Sequence, residues 1–231
     1  MTKKPRMAAM IVAAGKGSRM KTDCPKQFIL MQERPILYYT ISAFEQSDID
    51  EIVIVTSKEY MEYVKEEIVE KYKFKKVSMV VEGGAERYES VYCGLKSLRG
   101  TDYVLVHDGA RPFVTPEQIK GIMEAVCEYK AVIMGVKAKD TVKIINEDGF
   151  VESTPERSNV WNIQTPQAFE YNLLKTAYDK IIACECNVTD DAMVVEFATN
   201  HPIKVIEGSY RNIKITTPED LDVRMFENLK I

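Results

Sequence analysis

The sequence predicts an α/β protein built on a mostly parallel sheet, and three observations point that way. Met7 to Val12 is an unbroken apolar run that feeds a turn of small residues, Ala13-Ala14-Gly15, the pattern of a strand covered on both faces. Over the first 81 residues, apolar strand patterns alternate with helical ones, an order that calls for right-handed crossovers between parallel neighbours. Turns containing glycine recur where strands end, at Gly15-Lys16-Gly17, Gly83-Gly84 and Asp108-Gly109. Ligands are therefore expected at the carboxyl edge of the sheet.

The first strand delivers Gly15 and Gly17, where backbone N–H groups can meet a ligand that a Cβ would hold off. Arg19 and Lys26 add two cations within the same short loop. Exposed N–H groups beside two positive side chains suit an anion, and above all a polyphosphate. Two familiar phosphate loops are excluded by counting. A Walker A loop needs a glycine five residues before its Gly-Lys pair, where this chain has Met10, and a Ser or Thr after the lysine, where it has Gly17. The dinucleotide fingerprint needs a third glycine at the place of Met20.

Pro35 to Glu45 follows with its apolar residues on one helical face and Pro35 in the first turn. Glu51 to Thr56 reads as a second buried strand, Glu59 to Tyr72 as a charged amphipathic helix, and Val77 to Val81 as a third strand. Gly83-Gly84 then opens a helix running to about Leu98 at the same edge as the first loop. Tyr103 to His107 is a fourth strand that presents Asp108, Arg111 and Pro112 at that rim. An acid and a base at a strand's carboxyl end form a site-like pair, although an Asp that accepts loop N–H bonds and is merely paired by Arg111 has the same sequence. Pro116 to Tyr129 reads as a helix and Ala131 to Val136 as a fifth strand.

From Lys137 the pattern changes. Thr141 to Ile145 and Phe150 to Ser153, joined by Asn146-Glu147-Asp148-Gly149, read as a β-hairpin inside an insertion at about 137–160. It interrupts the alternation and is expected to project from the main sheet. A dimerisation arm and a simple edge hairpin both fit it. Arg157, Trp161 and Gln164-Thr165-Pro166-Gln167 lead back to the body, Glu170 to Cys184 is helical, and Val188 to Ala192 looks like a helix N-cap with acids in the first turn. His201 to Glu207 reads as a strand and Pro218 to Asn228 as the closing helix.

Composition narrows the function classes. With 231 residues, 45% of them hydrophobic, one domain with a sizeable core over residues 1–231 is expected. Thirty-five acidic against 31 basic residues, a net charge of −4, argue against non-specific nucleic-acid binding, so any basic site must be local. No apolar run approaches the roughly 18 residues of a membrane span, and a cytoplasmic location without a membrane partner is expected. Lys3, Lys4 and Arg6 ahead of Met7 to Ala14 imitate a signal peptide, but that run sits near the lower length limit and is the strand the fold needs. Cys24, Cys93, Cys127, Cys184 and Cys186 are odd in number and irregularly spaced, and read as reduced thiols. With only His107 and His201 and no second cysteine pair, Cys184-Glu185-Cys186 does not complete a zinc site.

Ala14-Gly15-Lys16-Gly17-Ser18-Arg19-Met20 with Pro25-Lys26-Gln27 resembles the signature of nucleotidyltransferases that attach a nucleoside monophosphate to a phosphorylated small molecule. Val106 to Pro112, Gln164-Thr165-Pro166-Gln167, Thr189-Asp190-Asp191-Ala192 and Asn212 to Thr216 follow in order. Together they make Met7 to Lys230 resemble the 2-C-methyl-D-erythritol 4-phosphate cytidylyltransferase family of the non-mevalonate isoprenoid pathway. The resemblance implies a Rossmann-like three-layer α/β/α nucleotidyltransferase fold, and attack of a substrate phosphate oxygen on the α-phosphorus of CTP, with Mg²⁺ bridging the triphosphate. By the same resemblance, Arg19 and Lys26 stabilise the transition state, while Ala14, Gly15, Gly17, Gly84 and Ser90 hold CTP. Arg157 and Lys214 would position the second substrate's phosphate. Asp108, Arg111, Thr141, Thr165 and Thr189 would bind the polyol phosphate, with Asp108 also a candidate metal ligand. The projecting β-hairpin would be a dimerisation arm, bringing Arg157 and Thr141 to the neighbour's site in a homodimer.

Ala13, Ala85 and Met193 depart from the family pattern, and Met193 bears on the polyol pocket. Ribitol-5-phosphate cytidylyltransferase, which shares the CTP loop, is the nearest alternative, and a sugar-phosphate nucleotidyltransferase a more distant one. A nucleotide-sensing scaffold is the alternative from another class, against which Arg19, Lys26, Arg157 and Lys214 all stand.

Overall fold

The computed structural model describes residues 4–15, 24–184, 186 and 188–221. β1 (Met7–Ala13) is followed by a two-stranded turn of β2 (Leu30–Met31) and β3 (Arg34–Pro35), then α1 (Ile36–Glu45), β4 (Glu51–Thr56) and α2 (Met61–Tyr63), which continues as π-helical turns over Val64–Glu70. Next come β5 (Val77–Glu82), α3 (Arg87–Ser97), β6 (Tyr103–Asp108), α4 (Pro116–Tyr129) and β7 (Ala131–Lys137). A ribbon of β8 (Ile144–Ile145) and β9 (Val151–Ser153) precedes β10 (Trp161–Glu170), α5 (Tyr171–Cys184), α6 (Asp191–Ala198) and β11 (Lys204–Glu207).

Seven strands form one sheet in the order β11-β7-β10-β6-β1-β4-β5. Every neighbouring pair is parallel except the two made by β10, which runs antiparallel to both β6 and β7. Strand alternation sorts the core into two layers. Ala9, Ile11, Ile52 and Ile54 face Leu37, Ile41 and Phe44 of α1 and Ile119, Ile122 and Val126 of α4. Ala8, Met10, Val53 and Val55 face Val91 and Leu95 of α3, Leu174 and Ile181 of α5, and Val194 and Val195 of α6. The result is the expected three layers, α/β/α. Each fully buried Leu, Ile or Val contributes about 1.5–3 kcal/mol, so β1, covered on both faces, is the best-anchored support for the loop that follows it.

Several elements differ from the sequence reading. The strand β10 was not expected, because Gln164-Thr165-Pro166-Gln167 reads as loop. Pro166 is accommodated where the β10–β7 register shifts between Gln164 and Gln167, a position that asks for no ladder N–H. The segment expected as one helix from Glu59 starts as a 3₁₀ turn over Lys58–Tyr60 and becomes π-helical, with Val64 and Ile68 buried. β2 and β3 are joined by Gln32 and Glu33, both at positive φ (47° and 65°), the conformation of a type I′ hairpin turn without its usual Gly or Asn. The last strand begins at Lys204 rather than His201, since Pro202 offers no N–H to a neighbour.

The hairpin is shorter than expected and makes its own two-stranded sheet apart from the main one. Pro218–Leu221 is a 3₁₀ turn, and the rest of the expected closing helix lies outside the described residues. Cys184 and Cys186 are joined in a disulfide, contrary to the expectation of reduced thiols, while Cys24, Cys93 and Cys127 are not disulfide-bonded. Cys184 ends α5 and pairs with a cysteine just beyond it, a pairing that their two-residue spacing does not reveal. Among the described residues, no helix is long and apolar enough to cross a membrane.

Candidate active site

Two turns pressed together form the nucleotide-sized side of the site. β1 ends at Ala13, and Gln27, nearly fully buried, donates its amide to the carbonyls of Ala13 (2.6 Å) and Gly15 (3.2 Å). This crosslink ties the two ends of the first loop and sets Lys26 at the cleft wall. The neighbouring Phe28 locks the turn by packing on Tyr60 and Tyr63, with centroids 4.8 and 5.2 Å away. A Cβ on Gly15 would meet nothing within 4 Å, so its backbone faces open space that a ligand can approach. The opposite turn is tight. A Cβ on Gly83 would stand 2.7 Å from the Ser90 Oγ and 2.9 Å from the Ala14 Cβ, so only glycine lets the turn before α3 sit against the first loop. The buried Ser90 hydroxyl donates back to the Glu86 carbonyl at 3.1 Å.

The other side of the site is an ion cluster at the end of β6. The Asp108 carboxylate meets Arg87 Nε at 3.4 Å, Arg111 Nε at 3.3 Å and Lys214 Nζ at 3.0 Å. Arg87 also forms a bidentate pair with Asp191, at 3.2 and 2.8 Å. Asp191 is fully buried and accepts the Tyr178 hydroxyl at 2.6 Å. Burial alone would raise the Asp108 carboxyl, but Arg87, Lys214 and Arg111 outweigh it and hold the group well below the usual carboxylate range. Asp108 is therefore ionised throughout the neutral range. Arg87, Arg111 and Lys214 against Asp108 and Asp191 leave one unit of positive charge in the cluster, and Lys26 and Glu86 line the same cleft. The arrangement suits an anion.

His107 lies behind this cluster, fully buried. Burial pushes its imidazole down to about 4, against the opposing pull of the Arg111 carbonyl and Asp108. The unfolded chain, with an ordinary value near 6.5, binds the proton that the folded chain refuses. Stability from this group is thus complete above about pH 6.5 and is lost as pH falls toward 4. Between pH 7.5 and 5 the loss from His107 alone amounts to about 2 kcal/mol. Urea unfolding at the two pH values is expected to show that much less pH dependence in His107→Phe than in the parent chain; equal pH dependence would contradict the buried neutral histidine.

Of the residues expected in the site, Ala14, Gly15, Lys26, Gly84, Ser90, Asp108 and Lys214 line one cleft of about 280 Å³. Arg111 and Thr165 stand behind Asp108 rather than in the cleft: Arg111 donates to the Asn212 carbonyl at 2.8 Å, and the Thr165 hydroxyl accepts the Asp108 backbone N–H at 3.1 Å. Thr189 is exposed near the start of α6, its hydroxyl 3.5 Å from the Met193 sulfur. Arg157 lines a separate cleft of about 460 Å³ with Lys137, Lys139 and Glu156, and Thr141 is exposed at the base of the ribbon. Gly17 and Arg19 lie outside the described residues.

Arg87 and Gln27 were missed. Arg87 opens α3, and a cation at a helix N-terminus opposes the helix dipole, which was a signal of another role. Asp190 caps α6 as expected, accepting the Met193 N–H at 2.9 Å, but its neighbour Asp191 is a buried ion-pair partner rather than a solvated first-turn acid. Among the described residues no three His, Cys, Asp or Glu side chains converge as a metal site. A magnesium ion that enters with a triphosphate needs only one or two protein carboxylates; Asp108 and Glu86 line the cleft, and because the Asp108 oxygens already meet Arg87, Arg111 and Lys214, the residues present fit an ion held chiefly by the nucleotide's own phosphates.

A cation-lined cleft between two glycine turns, at the carboxyl edge of a sheet covered on both faces, is the site of a nucleotide-binding α/β protein. Residues 7–226 match the family model described as IspD, 2-C-methyl-D-erythritol 4-phosphate cytidylyltransferase, and the chain belongs to that family. It is 50% identical over 217 residues to the 2-C-methyl-D-erythritol 4-phosphate cytidylyltransferase of Lachnoclostridium phytofermentans, covering 94% of this chain and 93% of the relative. The crystal structure of 4-diphosphocytidyl-2C-methyl-D-erythritol synthase from Anaerococcus prevotii superimposes with a TM-score of 0.83 at 41% identity, over 94% of this chain and 93% of that one. The Francisella tularensis 2-C-methyl-D-erythritol 4-phosphate cytidylyltransferase gives a TM-score of 0.77 at 32% identity, over 96% and 99%.

Proposed function

We propose that this chain joins CTP and 2-C-methyl-D-erythritol 4-phosphate to give 4-diphosphocytidyl-2-C-methyl-D-erythritol and pyrophosphate, the reaction of its family in the non-mevalonate route to isoprenoid precursors. The observation that carries the reading is the convergence of Lys26, Lys214 and the cationic surround of Asp108 on a cleft walled by two glycine turns. A phosphate monoester, with its second pKa near 6, is largely dianionic at neutral pH. Its oxygen attacks the α-phosphorus without a base; one P–O bond forms there, the bond to the bridging oxygen of the β-phosphate breaks, and pyrophosphate leaves with the electron pair. What the protein must supply is positive charge where two anions meet and where charge grows on the non-bridging and leaving oxygens.

Lys26, with Arg19 from the same loop, serves the triphosphate, and Ala14, Gly15, Gly17, Gly84 and Ser90 hold the nucleoside. Lys214 orients the incoming phosphate from the far wall. A divalent ion bound with CTP neutralises the triphosphate and polarises its oxygens. Asp108 and Thr189 serve the polyol side, and Arg111 and Thr165 support that side from behind. With CTP labelled at the α- or the γ-phosphorus, the α label is expected in the polyol product and the γ label in pyrophosphate; α label in any pyrophosphate product would contradict attack at that atom.

The chain acts as a single unit whose inserted arm, about residues 137–160, pairs with a second copy. Support comes from the arm's exposed apolar residues, Ile144 (46%), Ile145 (50%), Phe150 (70%) and Val151 (58%), and from Arg157 and Thr141 lying away from the main cleft of their own subunit. In the dimer both reach the neighbour's site. Lys26→Ala and Arg157→Ala chains, each inactive alone, are then expected to regain up to roughly a quarter of native activity when mixed and reassembled, since random pairing yields half mixed dimers with one intact site each. No recovery in verified mixed dimers would rule out a shared site.

A further inference from the structure

Three segments far apart in sequence meet behind Asp108: the end of β6 with its turn, the middle of β10, and the loop carrying Asn212 and Lys214. A closed ring of hydrogen bonds holds them. His107 Nε2 lies 3.2 Å from the Arg111 carbonyl oxygen, which can only accept, so this nitrogen carries the proton. Nδ1 then accepts from the Thr165 hydroxyl at 3.1 Å, whose oxygen in turn accepts the Asp108 backbone N–H at 3.1 Å. The Thr165 carbonyl accepts from Asn212 Nδ2 at 2.9 Å, and the Asn212 carbonyl accepts from Arg111 Nη1 at 2.8 Å, which closes the circuit. His107, Thr165 and Asn212 are all buried, where each such bond is costly to break.

We propose that His107, which lies outside the cleft, is a positioning residue for the polyol phosphate: the ring it closes fixes where Lys214 stands relative to Asp108. Lys214 is two residues beyond Asn212, and the next residue, Ile215, donates its N–H to the Ala110 carbonyl at 2.8 Å. Tyr39, Phe113 and Met31 pack around Ile215. The apolar contacts hold that segment down, while the ring decides its placement along the cleft. Arg111, Thr165 and Asn212 each enter the ring through one side-chain atom and one backbone oxygen. His107 alone enters through two side-chain atoms, so replacing it opens two adjacent links without touching the backbone. The nucleotide turns at Gly15 and Gly83 share none of these bonds, so the effect is confined to the second substrate.

This inference rests on the reaction proposed above, and the experiment separates the two. Steady-state kinetics of the full chain with CTP, magnesium and 2-C-methyl-D-erythritol 4-phosphate are compared with those of His107→Phe, which fills the same space beside Phe44. Misplacement of a reacting group by about an ångström costs on the order of 100-fold, so kcat/KM for the polyol phosphate is expected to fall about 10- to 100-fold while KM for CTP stays within about two-fold. His107→Gln, whose amide can still donate to the Arg111 carbonyl, is expected to recover much of the loss. A folded His107→Phe chain with unchanged polyol-phosphate kinetics overturns the proposal, and so does a parallel loss of CTP binding, which marks general loosening. If the phenylalanine variant does not fold, His107→Leu, which also opens both links, decides by the same split, an unchanged kcat/KM or a parallel loss counting against it. A parent chain that releases no pyrophosphate from this substrate pair defeats the reaction itself, and the role of His107 with it.

Discussion

Lys26→Ala is expected to lower turnover about 10²- to 10³-fold, the usual loss when one preorganised charge is removed from where transition-state charge develops. The protein should keep its fold. Lys26 opens a 3₁₀ turn whose next two residues, Gln27 and Phe28, are buried and supply the turn's anchorage, whereas Lys26 itself is half-buried at the cleft wall. Arginine at this position would restore charge but not the compact ammonium geometry, so Lys26→Arg is expected to recover only part of the rate. Turnover measured at saturating substrates, together with a thermal melt, checks both halves. Near-native turnover in a folded Lys26→Ala chain would remove Lys26 from the chemistry.

Arg87→Met is expected to cost about 3–5 kcal/mol of stability, because it leaves the fully buried Asp191 carboxylate with no cation beside it. In a chain of this length each kcal/mol moves the melting temperature by about 2–4 °C, so a fall of roughly 10 °C is expected. Activity should fall as well, since Asp108 loses one of the three cations that fix it. The double variant Arg87→Met with Asp191→Leu removes both charges and should regain a good part of the stability without regaining activity. Melts and rates on the three chains test this. A single variant as stable as the parent would mean that the buried pair contributes little, and a fully active double variant that Arg87 does not help to hold Asp108.

How much of this was legible in the sequence depended on where each residue's partners lie. Strands β1, β4 and β6 and the helices packed on them announce themselves through long apolar runs and one-sided helices. Strand β10 did not, because its buried stretch, Gln164 to Phe169, opens with Gln164-Thr165-Pro166-Gln167, which reads as loop. Gln164, Thr165 and Gln167 are buried because each bonds a different part of the chain: Gln164 the Ser209 backbone, Thr165 His107 of β6, and Gln167 both Asp190 and the Ala192 N–H at the start of α6. Partners up to 58 residues away leave no periodic trace. The cleft was legible for Lys26, Asp108 and Lys214, which sit in recognisable motifs. Arg87 was not, since its two carboxylates come from β6 and α6. The disulfide at Cys184 and Cys186 was likewise not encoded in their spacing.

The most direct measurement is pyrophosphate release by the purified chain with Mg²⁺, with each nucleoside triphosphate offered against 2-C-methyl-D-erythritol 4-phosphate and ribitol 5-phosphate. Release confined to CTP with 2-C-methyl-D-erythritol 4-phosphate is the expected result. Release with ribitol 5-phosphate instead would keep the chemistry and overturn the substrate, and silence with every pair from a folded protein would contradict the enzyme itself.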